Sequence, residues 1–137
     1  MNVLIVLKKL SKERKMNDRF KFRHWDKRIN KMFYPERNDN FGYYVHNSDI
    51  LETMQSTGLK DKNGKLIYEG DILGGKYESL YIHWCDKCKQ FQLKAQDYGC
   101  MACEGDIHWY EVVEDNNKLE VIGNIYENPE LFEEVSE

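Results

Sequence analysis

The sequence predicts a mostly β fold, arranged as a small barrel or sandwich, and three observations support this. Apolar and polar residues alternate along several short segments, which is the period of a half-buried strand. Turn-forming residues such as the Asn63-Gly64 pair separate these segments. Aromatic residues make up 13% of the 137 residues. We therefore expect one domain with a small core built from large rings.

The composition excludes several other classes of protein. Charged residues make up 32% of the chain and interrupt every apolar run before it could span a bilayer. The aromatic content is too high for a disordered chain. Two prolines and nine glycines exclude a collagen-like or low-complexity architecture. We therefore expect no membrane partner.

The first predicted element is a β-hairpin near the N-terminus. Residues 19–25 alternate between two faces, and residues 31–34 return as the partner strand after a polar turn at residues 26–30. One face carries Phe20, Phe22 and His24, and the other carries Arg19, Lys21 and Arg23. The pattern predicts that the aromatic face is buried and the basic face is exposed.

The central part of the chain contains two predicted turns. Residues 43–45 predict a short aromatic strand, whereas residues 49–56 fit either a strand or a single helical turn. Asn63-Gly64 supplies the positive φ angles of a tight reversal. Asp71 follows Gly70 in a second turn, where we expect its side chain to hydrogen-bond the turn it occupies rather than to form a carboxylate pair with Glu69.

The remaining elements are short strands and one C-terminal helix. Asn128 as the N-cap, Pro129 as the first helical residue and Glu130 in the first turn predict a helix through Phe132. A turn is expected at residues 115–117. The predicted strands cover residues 66–68, 72–73, 77–84, 90–94, 107–113 and 119–126.

All four cysteines lie in two Cys-x-x-Cys motifs, at residues 85–88 and 100–103, with eleven residues between them. Two such motifs present four thiolates to Zn²⁺ at ~2.3 Å, and the intervening segment is long enough to form a hairpin. Four protein ligands leave no open position for water, so such a site is structural. We therefore predict that Cys85, Cys88, Cys100 and Cys103 bind a structural zinc ion.

Other chemistries fit the four cysteines less well. Two disulfides require an oxidising compartment, and a redox Cys-x-x-Cys begins a helix beside a βαβ unit, which this pattern lacks. An iron–sulfur cluster accepts four cysteines but not this spacing. His83 and His108 flank the motifs and are alternatives to one thiolate, although packing or solvent exposure is the simpler expectation for both.

No catalytic motif is present in the sequence. Gly58 and Gly64 are spaced wrongly for a phosphate-binding loop. Ile72 stands where a calcium loop needs a bidentate glutamate. Without a nucleophile–base pair or an open metal site, we expect that the chain is not an enzyme.

Charge is distributed unevenly along the chain. Residues 1–37 carry twelve Lys and Arg against four Asp and Glu, whereas residues 38–137 carry eight against twenty, for a net charge of −4. Attraction between the two parts within one fold is the simpler interpretation. The alternative is a nucleic-acid-binding face with stacking aromatic residues, formed by Arg19, Lys21, Arg23, Lys27, Arg28 and Lys31.

Residues 1–15 form a basic N-terminal extension. The apolar run at residues 3–7 precedes the basic residues and is followed by no small-residue cleavage site, which argues against a secretory signal. We hypothesise that Met16 is the true start and that residues 1–15 lie upstream of it. The expected compartment is the cytoplasm of a bacterial cell.

Three stretches resemble the YopX family of phage and prophage proteins. They read FKFRHWD at residues 20–26 with MFY at 32–34, QSTGLKDKNGKLIYEGDIL at 55–73, and VIGNIYENPEL at 121–131. The resemblance covers about residues 16–132 and implies a phage or prophage origin in a bacterial host. It also implies an SH3-like β-barrel after the Gly-Asp-Ile turn and no established enzymatic activity. The four cysteines are not a general family feature, so the zinc prediction rests on their spacing alone.

These expectations combine into one architecture and one function. The architecture is a single YopX-like β domain over residues 16–137. It comprises a small SH3-like barrel with an added N-terminal hairpin, a zinc-knuckle hairpin at residues 85–103 and a short C-terminal helix. The expected function is that of a non-catalytic accessory protein that binds a host or phage protein and modulates replication, transcription or host defence. Nucleic-acid binding is the alternative, and a homo-oligomer is left open.

Overall fold

The computed structural model describes residues 2–3, 18–36, 41–74, 80–95, 99–103 and 119–133. Two helices and a 3-10 turn accompany eight strands among these residues. The 3-10 turn is Asp18–Phe20, and the helices are α1 (Phe41–His46) and α2 (Glu130–Glu133). The strands are β1 (Phe22–Asp26), β2 (Lys31–Phe33), β3 (Leu51–Lys60), β4 (Leu66–Tyr68), β5 (Asp71–Gly74), β6 (Leu80–Cys85), β7 (Gln90–Lys94) and β8 (Glu120–Asn124).

The described strands form two antiparallel sheets. The first has the order β2-β1-β3-β4 and the second the order β7-β6-β5-β8. The turn at Gly70, whose φ is 87°, carries the chain from β4 in the first sheet to β5 in the second. The prediction of a mostly β fold is therefore confirmed. No helix within the described parts of the chain is long and apolar enough to cross a membrane.

The main cluster of buried side chains is aliphatic and lies mostly on the second sheet. Its members are Ile67, Leu73, Leu80, Ile82, Leu93, Leu119 and Val121. The expectation of a core built from large rings is therefore wrong for this cluster. Aromatic pairs lie elsewhere: Trp25 stacks on Tyr126 at 5.9 Å between ring centroids, and Tyr34 meets Tyr68 edge-on at 5.9 Å. Trp25 and Tyr68 are themselves buried, so aromatic rings add to the interior outside this aliphatic cluster.

The strand predicted at residues 43–45 is wrong, because these residues lie in α1. The helix ends where the backbone N–H and the side-chain amide of Asn47 both donate to the carbonyl oxygen of Tyr43, at 3.1 and 2.7 Å. Tyr44 stacks on the buried ring of His24 with centroids 3.7 Å apart. A helical turn therefore places an aromatic ring on β1, and tertiary packing overrides the β propensity of the segment.

The structure also decides the open assignment at residues 49–56, most of which lie in β3. This strand pairs with β1 and β4. The strand predicted at residues 77–84 is observed as β6, and residues 75–79 are not among those described. Residues 107–113, the turn at 115–117 and nearly all of residues 1–15 also lie outside the described part of the chain.

Asp61 fixes the predicted turn at Asn63-Gly64. Its Oδ1 accepts the backbone N–H groups of Asn63 and Lys65, both at 2.9 Å, and its Oδ2 accepts the N–H of Val121 at 3.0 Å. Burial raises the pKa of Asp61, but the three backbone donors prevail and hold it below its ordinary value. One carboxylate therefore ties the turn between β3 and β4 to β8.

We expect Asp61→Asn to lower the free energy of unfolding at neutral pH by about 1–2 kcal/mol, because the new amide group must face a backbone N–H. A carboxyl whose pKa is lower in the folded state stabilises the fold above its unfolded pKa. This stabilisation is lost as the pH falls through the folded pKa. The difference in free energy of unfolding between Asp61→Asn and the original protein should therefore shrink as the pH falls. Urea unfolding across the acidic range measures this difference. Asp49→Asn, at an exposed position, is the control, and an equal deficit at every pH would contradict this account.

Candidate metal centre

The β6–β7 hairpin and a backbone bridge bring the four cysteines together. Cys85 ends β6 and pairs with Gln90 at the start of β7. Between them, the N–H of Lys89 donates to the carbonyl oxygen of Cys85 at 2.8 Å, and Lys89 has a φ of 55°. This tight reversal turns the first Cys-x-x-Cys motif back on itself.

The second motif is held against β7. Cys100 forms an antiparallel bridge with Lys94, and the N–H of Met101 donates to the carbonyl oxygen of Leu93 at 2.9 Å. Met101 also packs against the aliphatic cluster, as does Phe91. The second pair of cysteines is therefore connected to the core through both backbone and side-chain contacts.

The four sulfur atoms lie within 4.8 Å of one another. The Sγ of Cys103 lies 3.0 Å from that of Cys88 and 3.6 Å from that of Cys85, and the Sγ of Cys88 lies 4.0 Å from that of Cys100. A tetrahedron with Zn–S bonds of ~2.3 Å has sulfur–sulfur edges of ~3.8 Å. None of the four forms a disulfide, whose S–S length would be about 2.05 Å. The four sulfurs therefore lie close enough together to bind one metal ion.

The backbone of the first motif favours a thiolate. The N–H of Cys88 donates to the Sγ of Cys85 at 3.4 Å, and this hydrogen bond lowers the pKa of Cys85 to about 7. Backbone N–H groups aimed at sulfur supply the outer hydrogen bonds that orient metal ligands. The neighbouring thiol of Cys103 raises the pKa of Cys88, and a metal ion bound at that sulfur would compete with its proton.

Of the two flanking histidines, His83 is not part of the sulfur cluster. Among the described residues, the side chains that lie close enough together to hold a metal ion are those of Cys85, Cys88, Cys100 and Cys103. His83 is partly buried, its Nε2 has no hydrogen-bond partner among the described residues, and burial lowers its pKa. His108 lies outside the described residues.

Five of the six basic residues are at least partly exposed, as the sequence predicted, but most of them have partners within the chain. Lys21 pairs with Asp18 at 2.7 Å, Lys27 with Glu52 at 2.7 Å and Arg28 with Asp26 at 2.8 Å, while Arg19 lies over the ring of Phe20. Lys31 lies over the ring of Phe33. The prediction that Arg23 is exposed is wrong, since only 1% of it is accessible. Carboxylate partners and burial therefore reduce the positive charge that this surface offers to a phosphate backbone.

Arg23 instead forms a buried ion pair that joins the two sheets. Its Nη1 lies 2.8 Å from the Oδ1 of Asp71 in β5, and both side chains are 1% exposed. The Nη2 of Arg23 donates to the carbonyl oxygen of Glu69 at 3.0 Å, and the guanidinium lies 4.8 Å from the centre of the Tyr68 ring. The Oδ2 of Asp71 accepts the N–H of Tyr68 at 2.8 Å, which confirms that Asp71 hydrogen-bonds its own turn.

The amino-acid sequence matches the model of a known protein family. The model of the YopX protein family matches residues 35–133. The chain belongs to the YopX family. This membership confirms the resemblance seen in the three sequence stretches, two of which lie inside the matched range.

Comparison with solved structures and curated proteins adds two findings about this YopX-family chain. It is similar to the crystal structure of protein EF1440 from Enterococcus faecalis, with a TM-score of 0.48 and 27% sequence identity, over 82% of this chain and 96% of that chain. No curated protein matches the chain.

Proposed function

We propose that this YopX-family chain is a non-catalytic accessory protein of a phage or prophage that acts in the bacterial cytoplasm. It works by binding a host or phage protein, and thereby modulates replication, transcription or host defence. The observation that best supports this proposal is the cluster of four cysteine sulfurs. Four sulfurs can fill every coordination position of a tetrahedral metal ion and so leave none for a substrate.

In this proposal Cys85, Cys88, Cys100 and Cys103 hold Zn²⁺ in a structural role. Thiolates are soft ligands, and four of them in a tetrahedron suit zinc. The ion would stiffen the hairpin of β6 and β7 and fix the second motif against the core. We further propose that the curled sheets form an SH3-like barrel to which this zinc-knuckle hairpin is attached.

A rigid β scaffold with exposed apolar side chains suits recognition of another protein. Trp84 in β6 is 45% exposed and lies edge-on to Phe91, with ring centroids 5.3 Å apart. Both residues are on the hairpin that carries the first two cysteines. Aromatic side chains are enriched at protein interfaces because they offer a large contact area at a small cost in conformational entropy.

The test is affinity capture with the zinc-loaded protein from phage-infected cells, followed by reconstitution with the purified partner. We expect a complex of defined stoichiometry and no turnover by either component. Binding of DNA and RNA is measured in parallel at low and high salt. A failure to capture and reconstitute any partner would contradict the proposal, as would a nucleic-acid affinity that falls steeply with salt.

A further inference from the structure

The outer strands of the two sheets face each other across a groove. Within the described residues, β2 ends the first sheet and β8 ends the second, and the two strands do not pair. The groove between them has a volume of about 460 Å³, within the range of ligand-binding clefts. Its lining includes Lys31, Met32, Tyr34, Lys65, Ile122 and Gly123.

Within the described part of the chain, one wall of the groove offers an unpaired strand edge. β2 pairs with β1 along Lys31–Phe33 and with no other described strand. An edge strand presents a row of backbone N–H and C=O groups that an extended peptide can join as an additional strand. The backbone of β2 therefore supplies affinity that does not depend on the partner's sequence.

Two lysines give the groove a positive charge. Lys31 and Lys65 both line it, and among the described residues neither ammonium has a carboxylate within salt-bridge distance. Nearby Lys62, by contrast, pairs with Glu120 at 3.4 Å. The acidic group in the lining is Glu127, whose Oε1 already accepts a hydrogen bond from Asn124 at 3.1 Å.

The same groove also offers apolar contacts at its two walls. Met32 in β2 is partly buried, and Ile122 in β8 is 46% exposed and lies across the backbone of Gly74. Successive side chains of a strand point to opposite sides. An added strand could therefore direct apolar side chains to Met32 and Ile122 and leave alternate side chains for contacts with lysine.

We propose that the groove between β2 and β8 binds an extended acidic segment of a partner protein, which pairs with the free edge of β2. Its carboxylates meet Lys31 and Lys65, and its apolar side chains contact Met32 and Ile122. This inference rests on the proposed protein-binding function and names the class of segment that the site accepts.

The test is an NMR titration of the full-length, zinc-loaded protein with a synthetic peptide in which glutamate and valine alternate. We expect shift changes and slower amide exchange at residues 30–34 and 121–124. The double variant Lys31→Glu/Lys65→Glu should weaken binding by about tenfold or more, because attraction becomes repulsion. Lys87→Glu reverses one lysine charge, half of the double variant's change, at an exposed residue outside the groove and should bind like the original protein.

Two further peptides separate backbone pairing from simple charge attraction. An acidic peptide N-methylated at alternate residues should lose binding, and a peptide that alternates lysine with valine should not bind. The absence of shift changes at β2, or equal binding of the N-methylated peptide, would overturn the groove proposal. If the double variant still captures the cellular partner, the groove proposal fails while the proposed function stands; loss of capture by the double variant alone supports both.

Discussion

Replacing Arg23 with methionine is expected to lower the free energy of unfolding by about 3–5 kcal/mol. Asp71, which is 1% exposed, would then keep a charge in the interior with no cation beside it. Proteins of this size are typically stable by only about 5–15 kcal/mol. The substitution should therefore remove a large part of the stability, as measured by urea unfolding at neutral pH.

The loss of unfolding free energy caused by Arg23→Met should depend on pH. Burial raises the pKa of Asp71 above its ordinary value, and Arg23 opposes this shift. Without Arg23 the carboxyl titrates at a still higher pH, and a group with a raised folded-state pKa favours the fold below its unfolded pKa. The difference from the original protein should therefore shrink as the pH is lowered and Asp71 becomes neutral.

Two variants provide the controls for this prediction. Lys27→Met removes a lysine from an ion pair with Glu52 in which the two side chains are 42% and 41% exposed, so it should lower the free energy of unfolding much less. The double variant Arg23→Met/Asp71→Leu removes both buried charges and should recover much of the lost stability. Equal losses of stability for Arg23→Met and Lys27→Met would show that the buried pair has no special role.

Replacing Cys103 with serine is expected to abolish tight zinc binding and to lower the melting temperature of the zinc-loaded protein by about 10 °C or more. Cys103 is the exposed member of the cluster, so the change replaces one of the four clustered sulfurs without opening a cavity in the core. Titration with Co²⁺ monitors the site directly, because tetrahedral thiolate coordination gives intense visible bands. Those bands should be lost or strongly altered in the variant.

Ala102→Ser is the matched control, since Ala102 lies in the same Cys-x-x-Cys motif and offers no ligand. This variant should still bind the metal, show the Co²⁺ spectrum of the original protein and melt at nearly the same temperature. If Cys103→Ser retained the zinc affinity and melting temperature of the original protein, Cys103 would not be a ligand. The four-thiolate assignment would then be wrong.

Local signals in the sequence were sufficient for the turns and for part of the cysteine site. Asn63-Gly64, Asp71 and the strand at residues 90–94 lie where the pattern predicts them, because turn chemistry and strand alternation act over a few residues. The two Cys-x-x-Cys motifs likewise indicated that the sulfurs would converge. Each of these features depends mainly on neighbours in the chain.

Features that depend on distant residues were not predictable in the same way. Arg23 alternates with apolar residues as an exposed side chain would, yet Asp71, far along the chain, makes its burial favourable. The helix α1 formed where aromatic residues suggested a strand, because Tyr44 stacks on His24. The groove between β2 and β8 has no sequence signature at all, since the two strands come from opposite ends of the described chain.

Native mass spectrometry of the full-length protein, prepared without oxygen or chelator, tests the four-thiolate centre most directly. We predict one zinc ion per chain on the folded charge states, with a mass that shows displacement of thiol protons by the metal. Titration of the same sample with a thiol reagent should find the cysteines protected until the zinc is removed. A folded, metal-free protein with four reactive thiols would contradict the account.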